Sequence, residues 1–273
     1  MAKLSNSGRK DSGKRGLPLN QSVEKALSVL QAFGGERHAL NLGEISVAAG
    51  ITKSSAQRLT NTLERLRYLM RDPQAKRWVL APRTLTIGHA YLSGHALIER
   101  ATAQLLELNV ETGESVSLSE PDDTQMVYVA RFPGHKRFFI HMPIGRSLPM
   151  YCTAAGRAYL SRLSDDEVRE ILGRSSIKSL TSTTITDVPR ILGLIHEARG
   201  AGYAWANQEC YRGDLTIGAP VMGQQGRPVA AINISGPTSR WTLEELTARY
   251  AALLMETARA ASSGMADRIS LPK

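Results

Sequence analysis

The sequence predicts an α+β protein of two domains, and three observations carry that prediction. Apolar residues recur at helical spacing over 21–66 and lead into a short hairpin pattern. From Glu114 the pattern turns to alternation of period two, with helical segments between and after the strands. The charge divides in the same way: residues 1–92 hold 15 Lys and Arg against 6 Asp and Glu, whereas residues 93–273 hold 19 of each. The whole excess of +9 therefore lies in the first third. A basic module beside a neutral one implies a polyanion partner for the first and something else for the second. A membrane surface would instead require an amphipathic helix with a bulky exposed apolar face.

At 273 residues and 42% apolar content the chain can build two cores. No run approaches the roughly 18 apolar residues of a membrane span, and an apolar signal core is lacking, so a soluble, cytoplasmic protein is expected. The two cysteines, Cys152 and Cys210, stand outside any CxxC or CxxH grouping. They supply neither a disulfide framework nor a zinc site, and read as buried thiols or pocket walls rather than a redox pair.

Taken in order, residues 1–18 read as a disordered basic arm with Lys3, Arg9, Lys10, Lys14 and Arg15. It either follows a DNA backbone or floats as a solvated tail. Residues 19–82 form the first domain. A helix from Gln21 carries Val23, Ala26, Leu27, Leu30 and Phe33 and closes at Gly34-Gly35. A short helix follows with Leu42, Ile45, Ala48 and Ala49, ended by Gly50. Thr52 caps the next, whose apolar stripe is Ala56, Leu59, Leu63 and Leu66. Lys53, Ser54, Gln57, Arg58, Asn61 and Arg65 fall on the opposite face, which describes a helix-turn-helix.

Most polar helix faces are simply solvated, but this one has distinguishing chemistry. It lacks acids until Glu64, and Gln, Asn and Arg can make bidentate contacts to base edges. The short Ser54 and Ser55 let the helix start approach a phosphate. Tyr68 to Arg71, a turn at Asp72-Pro73-Gln74 and Lys76 to Leu80 then read as a hairpin with a basic tip, a wing. The candidate DNA contacts are Thr52, Lys53, Ser54, Ser55, Gln57, Arg58 and Asn61 on the helix, with Lys76 and Arg77 holding phosphates from the wing.

Pro82 ends the hairpin, and residues 83–110 read as one long or lightly broken linker helix, with a boundary near Ser93-Gly94. His89 and His95 have no carboxylate or cysteine at ligand spacing, so they read as helix-surface residues, and no metal is expected. Residues 111–273 form the second domain. Strands are expected over Ser115 to Ser119, Gln125 to Phe132 and Lys136 to Met142, followed by a loop through Pro149. The small-residue segment Cys152 to Gly156 opens a helix through Leu163. Ser164 to Glu167 carries a capping-box pattern for the next helix, and Val188 to Gly200 is another. Tyr203 to Cys210 is extended, Leu215 to Met222 and Val229 to Ile234 are strands, and a final helix runs from Thr238 to about Ser262. Such an order indicates one mainly antiparallel sheet.

Two sets of segments together resemble the IclR-type bacterial transcription regulators. In the first domain they are SVEKALSVLQAF and LGEISVAAGITKSSAQRLTNTLERLRYL. In the second they are LPMYCTAAGRAYLSRL and GYAWANQECYRGDLTIGAPVMGQQGRPVAAINISGP. The resemblance covers nearly all of the chain from Gln21. It implies a winged helix-turn-helix, a linker helix and an α/β effector-binding domain similar to GAF domains. It also implies dimers or tetramers, and control by a small metabolite. The family's pocket positions carry over to Cys152, Thr153, Ala154 and Ala155, where backbone N–H groups at a helix start could receive a carboxylate. They carry over further to Leu148 and Ile140 as apolar walls, to Ala206 and Asn207, and to Thr216, Asn233 and Ser235. Well-known members have an acid at the place of Ala206 or Asn207 and a cysteine at Thr216, so their effector is not assumed here. LPMYCTAAGRA also resembles the branch controlling aromatic-acid catabolism through the β-ketoadipate route, which implies an aromatic carboxylate.

The leading expectation is a sequence-specific regulator that binds a roughly palindromic double-stranded operator as a homo-oligomer and answers to a carboxylate. An enzyme is the rival class. The chain has no GxSxG elbow, P-loop or HExxH, and Glu209, Cys210 and Asp214 are neighbours only in sequence. Neither catalysis nor a cofactor is expected. A nonspecific DNA-coating oligomer with a structural second domain is the third reading.

Overall fold

The computed structural model describes residues 19–34, 38–134 and 142–263. The chain divides into two compact units between His89 and Ala90. The arm at 1–18 and most of the strand expected at 136–142, including Ile140, lie outside the described residues.

The first unit begins with α1 (Gln21–Gln31), capped by Asn20, whose side chain accepts from the amides of Ser22 and Val23. α2 (Leu42–Ala48) starts in a capping box in which Asn41 and Glu44 satisfy each other's backbone amides. Gly50, at φ 63°, makes the turn that sequence predicts. α3 (Lys53–Arg65) follows, capped by the Thr52 hydroxyl. The wing is an antiparallel pair, β1 (Leu69–Asp72) and β2 (Arg77–Leu80), with Leu69 opposite Leu80. Trp78 also exchanges backbone hydrogen bonds with Leu40, at 2.8 and 3.0 Å, and so ties the wing to the entry of α2.

The core of this unit gathers Val29, Phe33, Leu40, Ile45, Ala56, Leu63, Leu69 and Trp78. Two expected stripes are corrected here. Val23 and Leu27 are more than half exposed, because α1 reaches the core only through its last turns and the following 3-10 turn, at Val29, Leu30 and Phe33. On α3 Leu66 is exposed and Thr60 is buried in the stripe, its hydroxyl satisfied by the Ala56 carbonyl at 2.9 Å.

The linker is broken: α4 (Leu85–Ser93) and α5 (Ala96–Thr112) are separated at Gly94-His95. The break corrects the surface reading of His95. Its Nε2 lies 3.5 Å from Glu120 Oε1 and its ring packs on Tyr91, whose hydroxyl also donates to Glu120.

The second unit is built on a six-stranded antiparallel sheet. Its strands are β3 (Ser115–Asp122), β4 (Gln125–Phe132), β5 (Ser147–Pro149), β6 (Ala204–Asn207), β7 (Asp214–Met222) and β8 (Pro228–Pro237). They lie side by side in the order β5-β4-β3-β8-β7-β6. β5 occupies a stretch that the sequence reads as loop; it is short and pairs only with β4. The extended segment from Tyr203 to Cys210 shortens to β6, since Gln208 takes φ 57° and turns the chain away.

The two faces of the sheet are unlike. Val116 and Leu118, with Ile217, Ala219, Ile232 and Ile234, meet α5 and α9 (Leu243–Ser263) in one core. The opposite face meets α6 (Ala154–Leu160), α7 (Asp165–Arg174) and α8 (Val188–Ala201) in a second, around Met150, Tyr151, Ala158, Ile191 and Ile195. α7 is capped by Ser164 and Glu167, as their spacing predicts. α9 starts later than expected, at Leu243, because residues 238–242 form a turn and Thr242 with Glu245 makes the cap.

Candidate nucleic-acid interface and ligand cavity

On α3, Lys53, Ser54, Gln57, Arg58 and Asn61 are exposed together with the capping Thr52. Gln57 Nε2 donates to Asn61 Oδ1 at 2.9 Å, which links two exposed amides one helical turn apart. Ser55 is half-buried and its hydroxyl accepts from Thr52 at 3.1 Å, so it supports the cap more than it faces outward. Arg58 lines a shallow groove with Lys25, Ser22 and Thr62, which brings a second cation from α1 beside the recognition face.

The wing splits its two expected cations. Lys76 is exposed at the tip, where Asp72 Oδ1 accepts from the amides of Gln74 and Ala75 at 2.9 and 3.0 Å. Arg77 is committed inward: its Nη1 donates to Glu44 Oε2 at 2.8 Å and to the Ala39 carbonyl at 2.9 Å. The phosphate-holding role expected of Arg77 is corrected to a brace between wing and α2. Arg71, stacked 5.0 Å above the Trp78 ring, is exposed beside Lys76 and was not singled out by sequence.

In the second unit the strand registers assemble a polar field on one face. Ser117 lies opposite both Arg131 and Asn233, and Ser235 lies opposite both Ser115 and Thr216. These side chains are directed away from the Val116 and Leu118 face, because alternation forces it. Ser115, Ser117, Ser119 and Asn233 are all buried there. Asn233 Oδ1 and Ser119 Oγ have no hydrogen-bond partner among the described residues.

Above this field α6 comes down to backbone contact with β7. Gly218 permits it, since a Cβ there would stand 2.8 Å from the Ala154 carbonyl carbon. Gly156 lets the preceding turn pass equally close, a Cβ there falling 2.3 Å from Met150 Cα. The result is a small cavity of about 30 Å³. Its walls include Leu148, Cys152, Thr153, Ala154, Ala155, Ala206, Thr216, Asn233 and Ser235, which are the carried-over positions apart from two. Asn207 is not among them; it alternates with Ala206 to the other side of β6 and accepts from Gln208. Ile140 is the other, outside the described residues.

The cavity also holds Tyr128, Arg131, Met142, Glu209, Cys210 and Asp214, whose placement depends on pairings distant in sequence. Glu209 is fixed by a buried bidentate pair with Arg157, at 2.6 and 2.7 Å. Arg157 also donates to the carbonyls of Tyr151 and Trp205, so the loop after β6 is bolted to α6. Cys152 and Cys210 are brought to 3.3 Å between sulfurs, both as free thiols. Contact with Cys152, burial, and the charges of Glu209 and Asp214 push the Cys210 thiol up. It stays protonated and serves as wall.

Asp214 is the acid of the cavity. Burial raises its carboxyl to about 7, against the lowering effects of the Ser235 hydroxyl that donates to it and of the Arg131 guanidinium. Burial in turn lowers Arg131, opposed by Tyr128 and Asp214, and burial raises Tyr128. The neutral Ala206 and Thr216 are therefore accompanied by an acid from a different position, the first residue of β7. No cluster of metal-ligand residues occurs among the described residues, and no helix there is long and apolar enough to cross a membrane.

Comparison with known proteins agrees across both units. Residues 22–73 match the IclR helix-turn-helix domain, and residues 89–263 match the bacterial transcriptional regulator IclR C-terminal domain. The Pca regulon regulatory protein of Pseudomonas putida is 31% identical over 239 residues, 87% of this chain and 81% of that one. The HTH-type transcriptional regulator KdgR of Escherichia coli is 32% identical over 244 residues, 89% and 92% of the two chains. A crystal structure of a transcriptional regulator from Rhodococcus sp. RHA1 aligns with TM-score 0.76 and 34% identity, covering 91% of this chain and 99% of that one.

Proposed function

The chain belongs to the IclR family of bacterial transcriptional regulators, and from that premise we propose that its DNA binding is controlled by a small carboxylate held in the cavity of the second unit. It is a helix-turn-helix regulator that binds DNA, not an enzyme. The observation that carries the effector reading is the buried polar field beneath α6. Buried polar atoms ordinarily find partners, and Asn233 Oδ1, which lines the cavity, has none among the described residues. With Arg131 among the lining groups, a small anion suits the cavity. The aromatic members of that class are favoured by the apolar walls Leu148, Met142 and Ala206 and by the likeness of LPMYCTAAGRA to regulators of aromatic-acid catabolism.

On the DNA side, α3 enters the major groove with Lys53, Ser54, Gln57, Arg58 and Asn61, while Lys76 holds a phosphate beside it. Thr52 and Ser55 shape the helix start. A homo-oligomer presenting two such helices reads a roughly palindromic operator; Leu85 and Ile87 on α4, 73% and 58% exposed, support association of copies. Effector binding shifts operator affinity to the extent that it favours one arrangement of the protein over another.

Two measurements test the reading. A thermal-shift screen of the full chain against aromatic and aliphatic acids should give stabilisation that grows with ligand concentration, and a hit should alter operator binding. Arg58→Ala should weaken operator binding and relax preference at particular base pairs, with about 1–3 kcal/mol of discrimination lost. A uniform, sequence-blind loss would remove Arg58 from base readout.

A further inference from the structure

Asp214 sits where a carboxylate effector would have to meet it. It lines the cavity, it is half-buried, and it opens β7 opposite Pro237, the last residue of β8. Among the described residues, the groups around it come from two strands and one loop. Arg131 and Tyr128 face it from β4, Ser235 from β8, and Glu209, Cys210 and Tyr211 from the loop between β6 and β7, with Cys152 beyond Cys210. The Glu209 carboxylate is matched by Arg157, and Cys210 and Tyr128 are held in their neutral forms.

With Asp214 ionised, an entering carboxylate meets a half-buried carboxylate at short range, where repulsion is screened less than in water. With Asp214 protonated, that repulsion is gone and the acid becomes a hydrogen-bond donor to the entering anion.

Resting on the effector reading above, we propose that Asp214 makes effector entry proton-linked: the cavity admits a carboxylate together with one proton, which is taken up on Asp214. The position is specific to this arrangement of residues, since the acid comes from β7 and not from the neutral places Ala206 and Asn207 on β6. Binding of an acid then responds to pH close to neutrality, where its own carboxyl is already fully ionised. The burial-raised carboxyl of Asp214 supports this range.

The test is calorimetry on the full chain with benzoate, 4-hydroxybenzoate and pyruvate as anionic probes and benzamide as the neutral one. An acid that binds should do so about tenfold more weakly near pH 8 than near pH 6, because the protonated fraction of a group titrating near 7 falls by that factor. Its apparent enthalpy should depend on the ionisation heat of the buffer, reporting uptake of up to one proton, while benzamide shows neither effect. Asp214→Asn should bind the acid equally at both pH values, at least as tightly as the parent does near pH 6. Ser235→Ala, which removes a hydroxyl that favours the ionised form, should move the profile to higher pH. Equal binding by the parent at the two pH values without proton uptake overturns the proposal and leaves the effector reading intact. Weaker binding by Asp214→Asn at both pH values does the same, and points to a ligand donor group received by the ionised acid. If none of the three acids binds at either pH, the carboxylate reading falls and the proposal with it.

Discussion

At the scale of single residues, Arg157 and Asp214 of the second unit meet burial of charge with opposite solutions. Arg157 is neutralised by Glu209, whose two oxygens it engages, and its remaining donors go to backbone carbonyls. Arg157→Ala would leave Glu209 charged and buried, a change that costs about 3–5 kcal/mol. Urea denaturation should read that loss, and Arg157→Ala combined with Glu209→Gln should recover part of it. Asp214 has no such bidentate partner, and its carboxyl is raised to about 7. Its unfolded value is near 4. Burial therefore costs nothing below the unfolded value, when both states are protonated; stability is lost progressively as pH rises through about 7. Asp214→Asn should stabilise the ligand-free protein by about 4 kcal/mol near pH 8 and by far less near pH 4. A gain that does not change with pH would assign the effect to packing. Neither charge is legible as such in the sequence: Arg157 and Glu209 are 52 residues apart, and only the pairing of β7 with β8 brings Asp214 beside Ser235.

At the scale of elements, sequence periodicity identifies segments more readily than it identifies their faces. The alternation of Ser115, Val116, Ser117, Leu118 and Ser119 marks a strand, and β3 is there. A polar face ordinarily points to water, yet here Ser115, Ser117 and Ser119 are buried, because α6 and its neighbours cover that side. The stripe of α1 was legible while its burial was not, since Val23 and Leu27 extend past the core. The turn at Gly50 and the cap at Thr52 depend on a few adjacent residues, and both were legible. The wing was legible as a hairpin but not in the division of its cations. Arg77 reaches Glu44 across 33 residues, a contact that no local pattern announces. Lys76→Ala should lower the slope of log affinity against log salt by about 1, as one lost phosphate contact requires. Arg77→Ala should leave that slope unchanged and instead lower stability by about 1–3 kcal/mol, the usual loss for a hydrogen-bonded charged group. An equal fall in slope for both variants would return Arg77 to the DNA.

At the scale of the whole molecule, the partition of charge gives the two units different sensitivities. The first unit contains the helix-turn-helix and lies within the basic third of the sequence, so its binding to DNA must weaken steeply with salt. A ligand in the partly closed cavity of the second unit would be screened less. Coupling between them obeys reciprocity: if the effector changes operator affinity by some factor, operator DNA changes effector affinity by the same factor. Proton linkage at Asp214 extends that coupling to a third ligand. With an acid effector held at a fixed, subsaturating concentration, operator affinity should change between about pH 6 and about pH 8 in the direction that effector release produces, because release follows loss of the proton. Fluorescence anisotropy with operator DNA would read the shift at constant ionic strength. Subtracting the pH response measured without effector isolates the linked part. Asp214→Asn should remove that linked part while keeping the response to effector at any one pH. If the variant retains the full pH-dependent component, the proton is taken up elsewhere, and Asp214 is a wall of the cavity with no part in its regulation.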